Sequence, residues 1–132
     1  MLVEIPVSVG ELVDKITILQ IKSQLLTQEH QLLNVRQELA LLQAKLDALG
    51  LPQTLLDAHA HELLSVNQQL WHIEDFKRQC ERAQDWGAAF VQAARQVYLL
   101  NDRRASIKRA INLTTGSDLI EEKSHTSVRG GT

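Results

Sequence analysis

A helix start can be read from residues 6–22, PVSVGELVDKITILQIK. Ser8 is followed three residues later by Glu11, which is a capping-box pattern in which the serine oxygen accepts a hydrogen bond from a free backbone N–H of the first turn. Apolar residues then recur at the three- and four-residue steps of an α-helix. The pattern leaves Gly10, Asp14 and Lys15 to be explained.

The same apolar spacing continues as far as Leu49, with Gln28 as its interruption. It predicts one long helix with a coiled-coil-like seam, although the polar residues around Thr27 leave a break there possible. Gly50 and Pro52 predict a first turn, residues 84–87 a second, and residues 114–118, TTGSD, the end of the last helix.

Short connections between helices make sequential helices antiparallel. The sequence therefore predicts an all-α fold, in which a long antiparallel helical hairpin and a third helix form a three-helix, coiled-coil-like bundle. Residues 2–7 contain Pro6 and predict a short extended N-terminal arm. We expect a single helical domain over residues 1–125 and a flexible C-terminal tail over residues 126–132.

Length and composition exclude several classes of protein. The chain has 132 residues, 44% of them hydrophobic, which is enough for the core of one domain. Fourteen basic and sixteen acidic residues give a net charge of −2, so we expect neither nucleic acid nor membrane as a partner. One cysteine, no signal peptide and no long apolar run predict a cytoplasmic protein.

The first predicted turn is rich in leucine, and the third predicted helix is too short to cover it. An apolar patch of this size is unusual on a monomer, so we expect a homo-oligomer, at least a dimer, that associates through this turn and the first helix. The patch consists of Leu41, Leu42, Leu46, Leu49, Leu51, Leu55 and Leu56.

Pairing the helices across the two turns brings polar residues to one level of the bundle. In this register Gln28 faces Glu74, and Val35 faces Asn67. The layer either fixes the register of the helices or lines a ligand pocket between them. The candidate ligand-binding residues are Gln28, Asn67, Trp71, Glu74, Tyr98, Asn101, Asp102 and Arg104.

Metal, cofactor and phosphate sites have weaker support. His59 and His61 point to different faces of their helix, and the paired Glu-x-x-His spacing of di-iron bundles is absent. We therefore predict no metal ligands and no cofactor. The basic residues between Arg103 and Arg109 are of a type that holds phosphate, but such a run near a helix end is more often a solvated face.

Four blocks of the chain resemble DUF6165, a family of small uncharacterised bacterial proteins. The blocks are VSVGELVDKITILQIK (7–22), LLSVNQQLWHIED (63–75), VYLLNDRRASIKRAIN (97–112) and SDLIEEKSH (117–125). Their polar residues are more numerous than a structural seam requires, so the resemblance implies a joint polar cluster. It also implies a link to bacterial cell-envelope polysaccharide metabolism.

Two functions are compatible with these observations. The first is a non-enzymatic helical binding or accessory module for a partner protein or an anionic small molecule. The alternative is a small all-α enzyme that acts on an anionic or phosphorylated small molecule. An enzyme of this kind would turn Lys15, Lys22 or Arg104 into a concave pocket with Glu74.

The unexplained residues of the first helix predict a docking face for the C-terminal segment. Gly10 has no side chain and lets another segment approach the backbone closely. We expect Lys15 to meet Glu121 or Glu122, and Asp14 to meet Lys123. The alternative is an ordinary helix start with solvated charges. The residues assigned to this docking are Gly10, Asp14, Lys15, Glu121, Glu122 and Lys123.

Overall fold

The computed structural model describes residues 1–128 and contains four α-helices. They are α1 (Val9–Leu25), α2 (Glu29–Ala48), α3 (Gln53–Ala83) and α4 (Ala88–Thr115). No strand is present in residues 1–128. The all-α class is confirmed, whereas the expected count of three helices is wrong.

The extra helix arises from a break at residues 26–28. Leu26 and Gln28 have extended backbone angles, with ψ of 143° and 128°, so the helix cannot continue through them. The chain reverses here and α2 folds back along α1. The salt bridge between Lys45 Nζ and Glu4 Oε1, at 2.9 Å, places the end of α2 beside the N-terminal arm.

Helix α1 lies at the centre of the molecule, because it contacts each of the other three helices. Eight of its 17 residues are buried, whereas α2 buries Val35 alone among 20. Helices α3 and α4 pack against each other and against α1. The apolar core lies among these three helices and is formed by Val13, Leu56, Leu63, Val66, Ile107 and Ile111.

The position of α2 corrects the register expected for the first hairpin. Helix α2 lies along α1 and not along α3. The expected pairs of Gln28 with Glu74 and of Val35 with Asn67 are therefore wrong. Between α3 and α4 the antiparallel arrangement is as expected, since Arg103 Nη2 lies 3.5 Å from Glu62 Oε2.

The helix ends follow the local sequence signals. The Ser8 side chain accepts a hydrogen bond from the Glu11 N–H at 3.0 Å, as half of a capping box does. Gln84, with φ of 53°, ends α3, and Gly116, with φ of 67°, ends α4 in the left-handed conformation that glycine adopts without strain.

The leucine-rich patch of the first predicted turn is divided by the fold. Leu46 and Leu51 pack against the core, whereas Leu41, Leu49 and Leu55 are exposed. Residues 1–7 form neither helix nor strand and are largely exposed. Residues 129–132 of the predicted tail lie outside the described residues.

Gly10 marks the closest approach of α1 to α4. Its N–H donates to Asn112 Oδ1 at 2.6 Å. A Cβ built on Gly10 would lie 2.5 Å from the Lys108 carbonyl oxygen and 2.9 Å from Asn112 Oδ1. Only a residue without a side chain lets the two backbones come this close.

We predict that Gly10→Ala lowers the free energy of unfolding. The overpacking cost of roughly 1–3 kcal/mol exceeds the stabilisation of up to about 1 kcal/mol that alanine brings to a helix. Urea denaturation measures the difference. Gly87→Ala is the matched control, because its Cβ would meet only the movable Asp85 carboxylate, at 3.2 Å. Equal loss in both variants would contradict the prediction.

Candidate functional site

A buried carboxylate joins three helices. Asp14 is fully buried on α1, at 0% exposure. Its carboxylate accepts two hydrogen bonds from Arg104 of α4, one from Nε to Oδ1 at 3.0 Å and one from Nη2 to Oδ2. Asn67 of α3 donates from Nδ2 to the same Oδ1 at 2.9 Å. One side chain of α1 therefore fixes the positions of α3 and α4.

Thr17 completes this group, one turn further along α1. Its hydroxyl donates to the Asp14 carbonyl oxygen at 2.7 Å and accepts a hydrogen bond from Asn67 Nδ2 at 2.9 Å. We call Asp14, Thr17, Asn67 and Arg104 the buried ion cluster. In residues 1–128 every buried side-chain nitrogen and oxygen has at least one hydrogen-bond partner, so the cluster leaves no buried polar atom unpaired.

Lys108 links the buried ion cluster to the surface. Its Nζ lies 4.0 Å from Asp14 Oδ2, 2.6 Å from Glu11 Oε2 and 3.1 Å from Glu121 Oε2. The other oxygen of Glu121 accepts a hydrogen bond from the Ser8 hydroxyl at 3.0 Å. A single ammonium group is thus shared by the start of α1 and by the chain beyond α4.

The two cations of α4 are stabilised in their charged forms. The hydrogen bond to Asp14 raises the pKa of Arg104 against the opposing effect of burial. Burial lowers the pKa of Lys108, but hydrogen bonds to Glu11 and Glu121 outweigh it, so the net shift is upward. Because both values are raised, the two groups are charged at neutral pH, and the stability that their charges contribute is lost on the alkaline side only at strongly alkaline pH.

Residues 117–128, which we call the tail segment, run back over α4. Ser117 Oγ accepts a hydrogen bond from the Val9 N–H at 3.1 Å. Glu122 Oε1 lies 3.5 Å from Arg109 Nη1. Asp102 accepts hydrogen bonds from Lys123 and, at 2.7 Å, from the Val128 N–H, and these two contacts hold its pKa below the usual value. The tail segment is therefore held mainly by polar contacts.

A cleft of about 410 Å³ lies between α4 and the tail segment. We call it the tail cleft. Basic and acidic side chains share its walls, and the basic ones are in excess. The basic ones are Lys108, Arg109, Lys123 and His125, and the acidic ones are Glu121 and Glu122.

The structure divides the residues predicted as a ligand-binding layer. Asn67 and Arg104 meet at Asp14. Asp102 binds the tail segment, and Glu74 pairs with Lys77 of its own helix at 3.2 Å. The others lie apart from the buried ion cluster: Gln28 and Asn101 are exposed, Tyr98 is 64% exposed and Trp71 is half-buried.

The residues assigned to tail docking have partners different from those expected. Asp14 pairs with Arg104 in place of Lys123, and Lys123 pairs with Asp102. Lys15 is exposed, because it follows Asp14 and points away from the bundle. The tail segment does lie against the start of α1, but it is Ser8 and Lys108 that contact Glu121 there.

From the sequence, Thr17 was not included in any site, and Asp14 and Glu11 were not paired with the residues of α4 that face them. Arg104, Lys108 and Asn112 recur every four residues on α4, and Glu11 and Asp14 are three apart on α1. Antiparallel helices with these spacings place two acids opposite two bases. That complementarity was a usable signal, whereas the neutral side chains of Thr17 and Asn112 gave none.

Metal-ligand clusters and membrane-spanning helices are both absent from the described part of the chain. Residues 1–128 contain no group of three or more His, Cys, Asp or Glu side chains arranged to hold a metal ion. Among the same residues, no helix combines the length and the hydropathy needed to cross a lipid bilayer.

The family model described as "Family of unknown function (DUF6165)" matches residues 1–130. The chain belongs to this family. The resemblance of the four sequence blocks is thereby confirmed. No curated protein and no solved structure matches the chain. The buried ion cluster and the tail cleft both lie within the part of the chain that the family model covers.

We predict that Asp14→Ala is strongly destabilising. It leaves the guanidinium of Arg104 partly buried without its carboxylate, a change that typically costs about 3–5 kcal/mol. Urea denaturation measures the loss. Lys15→Ala, at the next position, is the control and should stay within about 0.5 kcal/mol of the original protein, since Lys15 is exposed. An Asp14→Ala protein as stable as this control would show that the cluster does not hold the helices.

We also predict that Asp102→Ala releases the end of the tail segment while α4 stays folded. Amide exchange of Val128 measures this, because its N–H donates to Asp102. In the original protein the protection of this amide, relative to the intrinsic exchange rate at each pH, should decrease in acid as pH falls through the lowered pKa of Asp102. Asp118→Asn is the control. Unchanged protection of Val128 in Asp102→Ala would refute the assignment.

Proposed function

We propose that the chain is a non-enzymatic binding module for an anionic small molecule, which it takes up in the tail cleft. The observation that carries the proposal is the concentration of basic side chains there. Lys108, Arg109, Lys123 and His125 converge on one concave space beside α4. Concave sites with a few convergent polar groups are where proteins usually bind small molecules.

The buried ion cluster is less suited to bind a ligand. Its carboxylate is fully buried and its buried polar atoms are all hydrogen-bonded, so a ligand would have to break the contacts that hold three helices together. Arg104 is directed at Asp14 and Glu74 is paired with Lys77, so the concave Arg104 and Glu74 pocket expected of an enzyme has no support. These contacts favour the binding module over the enzyme.

The carboxylates of the tail segment indicate which ligand chemistry suits the cleft. Glu121 and Glu122 form ion pairs with Lys108 and Arg109, as the anionic group of a ligand would. A phosphate group offers more oxygens than a carboxylate and forms charge-assisted, often bidentate, hydrogen bonds with arginine. A phosphorylated ligand therefore has the chemistry to compete with Glu122 for Arg109.

The proposal includes an accessory role in bacterial cell-envelope polysaccharide metabolism and a location in the cytoplasm. The first rests on the family resemblance alone. The second rests on the sequence, whose single cysteine is typical of a compartment in which disulfides do not form. A phosphorylated sugar is accordingly the first organic ligand to test.

Isothermal titration calorimetry with inorganic phosphate, pyrophosphate and glucose 1-phosphate tests the proposal. We expect binding that weakens with added sodium chloride, because salt screens the partly exposed charges of the cleft. Arg109→Ala should lower the affinity about tenfold, since a hydrogen bond to a charged group contributes roughly 1.5–3 kcal/mol.

Arg103→Ala is the matched control, because Arg103 lies on the same helix and pairs with Glu62 of α3 instead of lining the cleft. Its affinity should equal that of the original protein. Absence of binding with all three anions, or equal loss in both variants, would refute the proposal. Release of inorganic phosphate from glucose 1-phosphate would instead support the enzymatic alternative.

A further inference from the structure

Helices α3 and α4 extend beyond the rest of the molecule. The end of α1 lies beside the middle of α3, because Leu25 shares a surface groove with Gln68, Gln69 and His72. From His72, α3 continues to Ala83, which at 1.5 Å per residue is about 16 Å of helix. Helix α2 contacts α1 alone among the helices, so it does not cover this part. We call residues 71–98 the two-helix extension.

All five aromatic residues of the protein lie in the two-helix extension. Three of them are exposed on its surface: Phe76 at 39%, Trp86 at 52% and Tyr98 at 64%. Val91, about two turns before Tyr98 on α4, is exposed at 51%. The aromatic residues are Trp71, Phe76, Trp86, Phe90 and Tyr98. Aromatic side chains are enriched in the buried centres of protein interfaces.

The charges of the two-helix extension are balanced. It contains four acidic and four basic residues, so its net charge is zero with histidine neutral. On α4 the stretch from Ala88 to Asn101 carries Arg95 as its one charged residue. A surface of this kind meets a second copy of itself without net repulsion.

The exposed area of the whole chain is large for its mass. A globular monomer of 14.9 kDa exposes roughly 7,000 Å² by the usual scaling of area with mass. This chain exposes 9060 Å². The excess of about 2,000 Å² is more than the roughly 800 Å² that each partner buries in an interface of standard size. The N-terminal arm and the tail segment contribute to it, and so does the two-helix extension, which lacks a third helix.

We propose that two copies of the chain associate through their two-helix extensions and form a four-helix bundle between them. A two-fold interface uses the same patch on both copies, so this patch needs apolar side chains and no net charge. The two-helix extension is neutral overall and exposes large apolar or aromatic side chains on both of its helices. Two helical hairpins packed face to face form a four-helix bundle, in which each hairpin covers the open side of the other.

The interface differs from the one expected from the leucine-rich patch. Leu46 and Leu51 pack against the core of their own chain, which leaves less apolar surface there for a second copy. The two locations can be separated by experiment, since each offers an exposed apolar residue of equal accessibility. Phe76 is 39% exposed on α3, and Leu41 is 40% exposed on α2.

Analytical ultracentrifugation over micromolar to millimolar concentrations tests the proposal. The mass of the full chain should rise with concentration from 14.9 kDa towards twice that value. Phe76→Glu and Tyr98→Glu should shift the dimerisation constant by at least tenfold towards monomer, while Leu41→Glu leaves it unchanged. Tyr98 is the most exposed of these side chains, so its variant tests the interface even if Phe76→Glu fails to fold.

Circular dichroism of each variant verifies that the helices are retained. A chain that stays at 14.9 kDa up to millimolar concentration would overturn the proposal and leave the surface to another protein or to solvent. Dissociation by Leu41→Glu, with Tyr98→Glu still dimeric, would overturn it in favour of the leucine-rich patch.

Discussion

The arrangement of the helices depends on the Asp14 carboxylate. It is buried at the contact of three helices, where it receives donors from α3 and α4. A buried charge is tolerated only when its partners are held in place, so the carboxylate sets the axial positions of both helices relative to α1. Apolar contacts such as those of Leu63 and Ile111 supply the burial, but they permit small shifts between helices that the ion pair does not.

The sequence predicted the helices well and their neighbours less well. The turn residues Gly50 and Pro52 and the Ser8 cap are local signals, and helix boundaries followed them. The break at residues 26–28 was harder to predict, because threonine, glutamine and glutamate are acceptable in a helix interior. What decides it is tertiary: α1 is apolar on several faces and needs α2 folded back on it. Because α2 was paired with α3 and not with α1, the residue pairs expected between α2 and α3 were wrong as well.

The candidate site shows the same division between local and long-range information. Asn67 and Arg104 were predicted to lie at one level of the bundle from the turn between α3 and α4, which is a local feature of the sequence. Their partner was placed in a different cluster, because the pairing of α1 with α4 depends on the close approach at Gly10. The return of the C-terminal segment was predicted, but the tail cleft was not, since its walls depend on the left-handed turn at Gly116 that sends the chain back over α4.

Lys108 belongs to two structures at once, and this has a thermodynamic consequence. Its ammonium group neutralises Glu11 near the buried ion cluster and Glu121 in the tail segment. Any species that replaces Glu121 at this nitrogen alters the charge that Asp14 and Glu11 experience, without touching either of them. By linkage, the same coupling free energy acts in both directions, so changes in the core alter the affinity of the surface. The free energy of unfolding of this protein therefore changes when an anion replaces Glu121 at Lys108.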